Sequence, residues 1–168
     1  GYVSILSARL NTPIANQGVS GDTAEQALAR IAHVEALDPQ IVVLLLGGND
    51  ILRQVPRPTT LTHMRSIIQR LQQGGAVVIL VGFKGLLGDG VNDDYKRLAK
   101  ETGCLFVPDV LDGILGNPSL MSDEVHPNDA GYLKIADRIA PTLEAAIVTA
   151  QETAAQRVST TRTDPAIE

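Results

Sequence analysis

Two stretches of the chain are apolar without interruption, at Ile41–Leu46 and Ala76–Val81. A strand covered on both faces, as in a parallel sheet, shows such a continuous run, whereas a half-exposed strand alternates apolar and polar positions. A shorter run follows at Cys104–Val107, and a weaker strand signal lies at Pro13–Ala15. The pattern therefore predicts buried strands at the first three stretches and a fourth, less regular strand near residue 14.

Between and beyond these strands, apolar residues recur with the spacing of a helix face. Helices are predicted over Tyr2–Leu10, from Thr23 to Leu37, from Thr60 to Gln73, near Asp93–Thr102 and from Asn128 to about Thr149. Thr23 or Asp22 is suited to cap the second helix, and Thr59 or Thr60 the third. Strands that alternate with helices in this way predict an α/β domain with a doubly wound parallel sheet in three layers.

The composition describes one globular domain of 168 residues, 44% of them apolar and 20% charged. Residues 1–149 are predicted to form it, and the polar segment 150–168 is predicted to be a disordered tail or a frayed helix. The net charge of −5 and the scarcity of aromatic residues give no reason to expect a nucleic-acid partner. No apolar run approaches the roughly 20 residues of a membrane-spanning helix.

The cysteine and histidine content gives no sign of a metal centre. Cys104 is the single cysteine, and with three histidines it offers no recognisable zinc spacing. This pattern therefore gives no reason to expect a zinc site. His33 and His63 lie on predicted helix surfaces, where solvated side chains are expected.

The third histidine, His126, stands in a loop ahead of a predicted helix. Pro127 disfavours helical geometry at His126, and Asp123 is near enough in sequence for its carboxylate to reach one ring nitrogen. A carboxylate on Nδ1 fixes the tautomer and leaves Nε2 free as a base. The alternative is a surface histidine in a polar loop that caps a helix.

Two further loops come after predicted strands, and each has two interpretations. Asn49 lies in Gly-Gly-Asn-Asp directly after the first buried strand, where its amide could donate to a developing oxyanion or form an ordinary Asx turn, with Asp50 capping the next segment. Gly21 lies in the Gly18–Thr23 loop. Gly21 either shapes the turn or, because it has no side chain, exposes its backbone N–H to the same oxyanion.

Three short blocks occur in this order along the chain: Ser-Gly-Asp-Thr at 20–23, Gly-Gly-Asn-Asp at 47–50 and Asp-x-x-His-Pro-Asn at 123–128. Together these blocks resemble those of the SGNH/GDSL hydrolases, most closely the bacterial esterase, thioesterase and lysophospholipase branch. The resemblance extends from residue 1 to about residue 148. The resemblance implies a flavodoxin-like fold and acyl transfer to water through a serine ester, with neither a metal nor another cofactor. It makes His126 the general base, Asp123 its orienting carboxylate, and Gly21 and Asn49 the oxyanion donors.

The family's serine lies in a Gly-Asp-Ser block at the end of the first, central strand, and the chain contains no such block. Ser4, Ser7, Ser20 and Ser122 are poor substitutes because none follows a strand in a sharp turn. We therefore expect the chain to be truncated, with a short apolar strand and Gly-Asp-Ser encoded just before Gly1. The resemblance alone favours a periplasmic or secreted location and leaves a cytoplasmic one open.

The implied substrate is a small-molecule acyl ester or thioester, and Phe83, Leu86 and Leu87 could line its acyl pocket or cover the core. Two other functions stay open at this point. One is a catalytically inactive binding module with the same fold. The other is a nucleotide or phosphate binder that uses the Gly18–Thr23 loop at a helix N-terminus, although the chain lacks the usual glycine-rich phosphate-binding patterns.

Overall fold

The computed structural model describes residues 1–84 and 91–161, with side chains to residue 152. Its sheet has three parallel strands in the order β1 (Ile41–Leu44), β2 (Val77–Val81) and β3 (Leu105–Val107). Val43 pairs with Ile79, and Val81 pairs with Val107. The parallel sheet and its flanking helices confirm the predicted α/β class.

Helices cover the sheet on both faces. They are α1 (Tyr2–Leu10), α2 (Ala24–Ala29), α3 (Ile31–Glu35), α4 (Gly48–Leu52), α5 (Arg57–Gln73), α6 (Val91–Thr102) and α7 (Asp129–Thr161). Helices α1 and α7 pack against each other, while α5 packs against α2, α6 and β2. The chain thus forms three layers, with the sheet in the middle.

The core is deepest at the central strand. Val78, Ile79, Leu80 and Val81 of β2 are almost completely buried, because strands flank β2 on both sides and helices cover both faces. In β1 only Leu44 is buried. Within the part of the chain that the structure describes, β1 pairs with β2 alone, so its other edge lies open.

The prediction of a strand at Pro13–Ala15 is wrong. These residues are irregular, although Ile14 packs against the core. A strand exists only when a neighbour completes its hydrogen bonds, and this stretch does not pair with any described strand.

The helix predicted from Thr23 to Leu37 is divided at Arg30, which leaves helical geometry with φ −110° and ψ 12°. Thr23 caps α2 as predicted, in a reciprocal arrangement with Gln26. Neither Thr59 nor Thr60 caps α5, because that helix begins earlier, after Pro56. Pro58 lies in the first turn of α5, where a proline is tolerated because the backbone N–H that it lacks would have no partner within the helix.

Helix α7 extends through the predicted domain boundary at residue 149 and continues to Thr161 with Pro141 inside it. The end of the predicted tail, residues 162–168, lies outside the described residues. The division into a domain of 1–149 and a tail of 150–168 stays a prediction.

Candidate active site

The loop before α7 is closed on itself by backbone contacts. Ser122 N–H donates to the His126 carbonyl over 2.8 Å, and Met121 forms an isolated bridge with Pro127. Inside this closed loop, Asp123 Oδ1 accepts the backbone N–H groups of Val125 at 2.9 Å and His126 at 2.8 Å. The carboxylate is therefore fixed by the backbone of its own loop.

The same carboxylate meets the imidazole of His126. Nδ1 lies 2.8 Å from Asp123 Oδ2 and 3.0 Å from Oδ1. The N–H of Val125, the imidazole and the N–H of His126 lower the pKa of Asp123 to about 2. The carboxylate is thus ionised at neutral pH and can only accept, so the proton of a neutral imidazole lies on Nδ1 and the Nε2 lone pair is free.

Gly21 and Asn49, the two predicted oxyanion donors, are brought together by the turn after β1. Gly47 has φ +101° and precedes α4, a five-residue helix that holds Asn49. Asn49 Nδ2 donates to the Asp22 carbonyl at 2.9 Å, which uses one of its two hydrogens and leaves the other available. The N–H of Gly21 donates to no described residue.

Two further side chains attach α4 to the segment around Gly21: Asp50, which one interpretation made a cap, and Arg53, which sequence reasoning did not single out. Asp50 is 1% exposed and accepts the backbone N–H of Ala24 at 2.9 Å. Arg53 donates to the Gly21 carbonyl at 2.8 Å. Asp50 thus does not cap the segment after it, as one interpretation expected. Its partner is 26 residues away, and no local pattern marks such a contact.

A groove of about 1100 Å³ joins these parts. Gly21, Asn49 and His126 all line it, and Asp123 stands behind the imidazole. Its walls are largely apolar and come from α1, the 14–22 segment, the end of β1, α4 and the loop before α7. His126 and the two predicted oxyanion donors therefore share one cleft that has room for an apolar ligand.

The chain is similar in sequence to a known family of hydrolases. The sequence profile of the GDSL-like lipase/acylhydrolase family matches residues 1–134. The chain belongs to this family. Esterase TesA of Pseudomonas aeruginosa is 30% identical over 157 residues, covering 86% of this chain and 78% of the esterase. The Escherichia coli protein named thioesterase 1/protease 1/lysophospholipase L1 is 30% identical over 141 residues, covering 79% of this chain and 68% of the relative.

Two solved structures of esterases share the fold. A crystal structure of TesA superimposes with a TM-score of 0.81 at 30% identity, covering 87% of this chain and 88% of that one. The esterase EstA from Pseudoalteromonas has a TM-score of 0.76 at 24% identity, over 88% of this chain and 87% of the esterase. The chain is thus related to hydrolases of ester bonds, as the sequence blocks predict.

The family's Gly-Asp-Ser block is absent from all 168 residues. Ser4, Ser7 and Ser20 line the groove, yet Ser4 donates to Gly1 and Ser7 to Thr12. Among the serines whose side chains the structure describes, none hydrogen-bonds through its hydroxyl to the imidazole of His126. A nucleophile is therefore not apparent in the described site.

The other side chains that the sequence singled out lie partly at the groove and partly away from it. Phe83 is buried, packs edge-on against Tyr95 and also lines the groove, while Leu86 and Leu87 lie outside the described residues. His33 is exposed as predicted. His63 is instead half-buried, and its Nδ1 has no hydrogen-bond partner among the described residues.

The described residues contain neither a cluster of metal ligands nor a candidate membrane span. No three metal-ligating side chains gather within residues 1–84 and the described part of 91–161. No described helix combines the length and apolarity that crossing a bilayer requires.

Proposed function

We propose that this chain supplies the base and the oxyanion-binding half of a serine ester hydrolase. The single observation that carries the proposal is the shared groove, in which the His126 imidazole, oriented by Asp123, faces the same space as Gly21 and Asn49. A base and two neutral N–H donors on one cleft match the needs of acyl transfer.

In this proposal His126 Nε2 takes the proton of a serine hydroxyl while its oxygen attacks the substrate carbonyl carbon. The N–H of Gly21 and the Nδ2–H of Asn49 stabilise the negative charge on the carbonyl oxygen. The imidazolium then protonates the leaving alcohol or thiol, and water hydrolyses the acyl-serine with His126 again as the base. Asp123 stabilises the imidazolium and holds the tautomer.

The attacking serine lies outside residues 1–168 in this proposal. Leu45 and Leu46, which directly follow β1, line the groove together with His126. A strand paired in parallel with the open edge of β1 would therefore end near this groove. A serine at the carboxyl end of that strand would then reach the base. The DNA before the codon for Gly1 tests this part, since a short apolar strand followed by Gly-Asp-Ser is expected there, and its absence would contradict the proposal.

For the substrate we propose a carboxylic ester or a thioester with an acyl chain in the apolar groove. The relatives named esterase, thioesterase and arylesterase support this class. Val19, Leu52 and Val125 are exposed at the groove, where an acyl chain would cover them.

The absence of Gly-Asp-Ser favours one alternative, a binding module that never reacts. A fluorophosphonate probe separates the two functions when it is applied to the product of the complete gene. Labelling is expected, and it should fall strongly in His126→Ala while His33→Ala, an exposed histidine on α3, labels like the wild type. A product that neither labels nor hydrolyses p-nitrophenyl esters would support the binding module.

A further inference from the structure

The two prospective oxyanion donors come from segments that are far apart in sequence. Gly21 lies in a loop before α2, and Asn49 lies in α4. Both must point at one oxygen, and a misplacement of about 1 Å in such a site can reduce the rate about 100-fold. Some contact must therefore fix the distance between the loop and α4.

Helix α4 cannot hold its own place. It has five residues, and a helix that short is unstable without tertiary contacts. Its exposed face carries Ile51 and Leu52, so that only Asp50 of this helix is buried. The buried contact of α4 is thus a carboxylate rather than an apolar side chain.

Asp50 connects three elements through two hydrogen bonds. Its Oδ2 accepts the N–H of Ala24, the first residue of α2, and its Oδ1 accepts the hydroxyl of Thr60 in α5 at 3.0 Å. Ala24 is completely buried, and Thr60 is 6% exposed. A buried donor or acceptor that loses its hydrogen-bond partner costs the free energy of its desolvation, so these two hydrogen bonds hold the three elements firmly in place.

The position of this contact relates it to both donors. Asn49 directly precedes Asp50 and bonds to the carbonyl of Asp22, while Asp50 bonds to the N–H of Ala24. Two neighbouring side chains of α4 therefore hold two points of one short segment, and Gly21 directly precedes that segment. The Arg53 contact to Gly21 is exposed to water and contributes less.

We propose that Asp50 is a positioning residue that sets the distance between the Gly21 and Asn49 donors. It does not touch the substrate and acts through α2 and α4. This inference rests on the proposed function, since it assigns Asp50 to the oxyanion site of that reaction.

The test compares Asp50→Ala with Asp50→Asn in the product of the complete gene. The alanine variant leaves Ala24 N–H and Thr60 without their acceptor, and we expect kcat to fall about 10- to 100-fold with little change in KM. The asparagine variant keeps an acceptor for Ala24 N–H, and the Thr60 hydroxyl can reverse its role to accept from the amide. It should therefore lose much less. Asp50→Asn combined with Thr60→Val should lose more than Asp50→Asn alone, because the buried amide N–H then has no acceptor.

A control separates positioning from plain destabilisation. Leu71→Ala removes buried volume near the other end of α5, about 16 Å along the helix from Thr60. All variants are assayed well below their unfolding temperatures. Leu71→Ala should unfold at a lower temperature and keep its kcat. In 15N-labelled chain, Asp50→Ala should speed the amide exchange of Ala24 and shift the Gly21 backbone and Asn49 side-chain resonances.

Normal kcat in folded Asp50→Ala, together with a strong loss in Asn49→Ala, would overturn the role of Asp50 and leave the proposed function intact. Equal kcat losses in the Asp50→Ala and Leu71→Ala variants would also overturn it. A wild-type product without hydrolytic activity, or full activity in Asn49→Ala, would instead contradict the proposed function itself.

Discussion

At the scale of single residues, Asp123 determines which nitrogen of His126 carries the proton. Asp123→Asn keeps an oxygen for the backbone N–H groups of Val125 and His126, but it can turn an N–H toward Nδ1. The proton of the neutral imidazole would then lie on Nε2, and Nε2 could no longer accept the proton of the serine hydroxyl. We expect kcat to fall on the order of 10⁴-fold with the fold intact, measured by ester hydrolysis and circular dichroism. A loss below tenfold would show that the imidazole does not depend on this carboxylate.

The low pKa of Asp123 gives a pH prediction. Because hydrogen bonds lower this pKa from 3.8 to about 2, the carboxylate stays ionised and its stabilisation is complete above pH 4. That stabilisation is lost only as the pH falls through about 2. Protonation of Asp123 should therefore contribute nothing to a change of kcat/KM between pH 7 and about pH 4. Carbon-13 NMR of the Asp123 carboxyl should give a midpoint near 2, and a midpoint at 3.8 would contradict the hydrogen-bonded geometry.

The sequence identified these residues better than it identified their supports. Asp123 and His126 are three positions apart, so one short motif contains the whole pair. Asp50 and Arg53 contact partners 26 and 32 residues away, and a single sequence gives no local sign of such contacts.

At the scale of elements, the turn between β1 and α4 depends on Gly47. A Cβ at this position would lie 2.1 Å from the Tyr95 hydroxyl, and the φ of +101° is unfavourable for other residues. Tyr95 is buried and donates to the Leu46 carbonyl, so it cannot move away freely. Gly47→Ala should destabilise the chain by at least about 1 kcal/mol in urea unfolding.

The neighbouring glycine provides the matched control for this prediction. A Cβ at Gly48 meets nothing within 4 Å, and Gly48 is the first residue of α4. Gly48→Ala should therefore leave the unfolding free energy unchanged or raise it slightly. Equal destabilisation by both substitutions would contradict the importance of the Tyr95 contact.

Helix ends that are marked by a local capping residue agree with the sequence prediction. Elements that depend on contacts with distant residues do not. Thr23 marks the start of α2 and Gly74 the end of α5, because caps are local. The sequence predicts a loop at Gly-Gly-Asn-Asp, with an oxyanion donor or an Asx turn as its two interpretations, because its composition is typical of turns and five residues show no helical periodicity. Only its tertiary contacts make this segment helical.

At the scale of the whole molecule, β1 and β2 differ in exposure although both are continuous apolar runs. The prediction of strands buried on both faces is confirmed for β2, whereas three of the four residues of β1 are only half-buried. In the described part of the chain, β1 also has one unpaired edge. Composition cannot distinguish the two, because neither run records how many neighbours its strand has. The irregular Pro13–Ala15 segment shows the same dependence on a neighbour.

This difference can be measured by amide hydrogen exchange. In parallel strands successive N–H groups point to opposite edges. Every second amide of β1 should therefore exchange quickly in the isolated 168-residue chain, whereas all amides of β2 should be protected. If β1 is uniformly protected at low protein concentration, its edge is covered and this part of the topology is wrong. Protection that appears only at high concentration would instead indicate association through that edge.

The closed loop around Asp123 also has a consequence for the order in which the site assembles. The contacts between Asp123 and His126 join residues that are three positions apart, so the formation of this pair costs little loop-closure entropy. The Gly21 and Asn49 donors meet only after two distant segments have docked. During refolding, the imidazole should thus reach its final environment before the oxyanion-binding pair exists, and the site would be assembled from a fast half and a slow half.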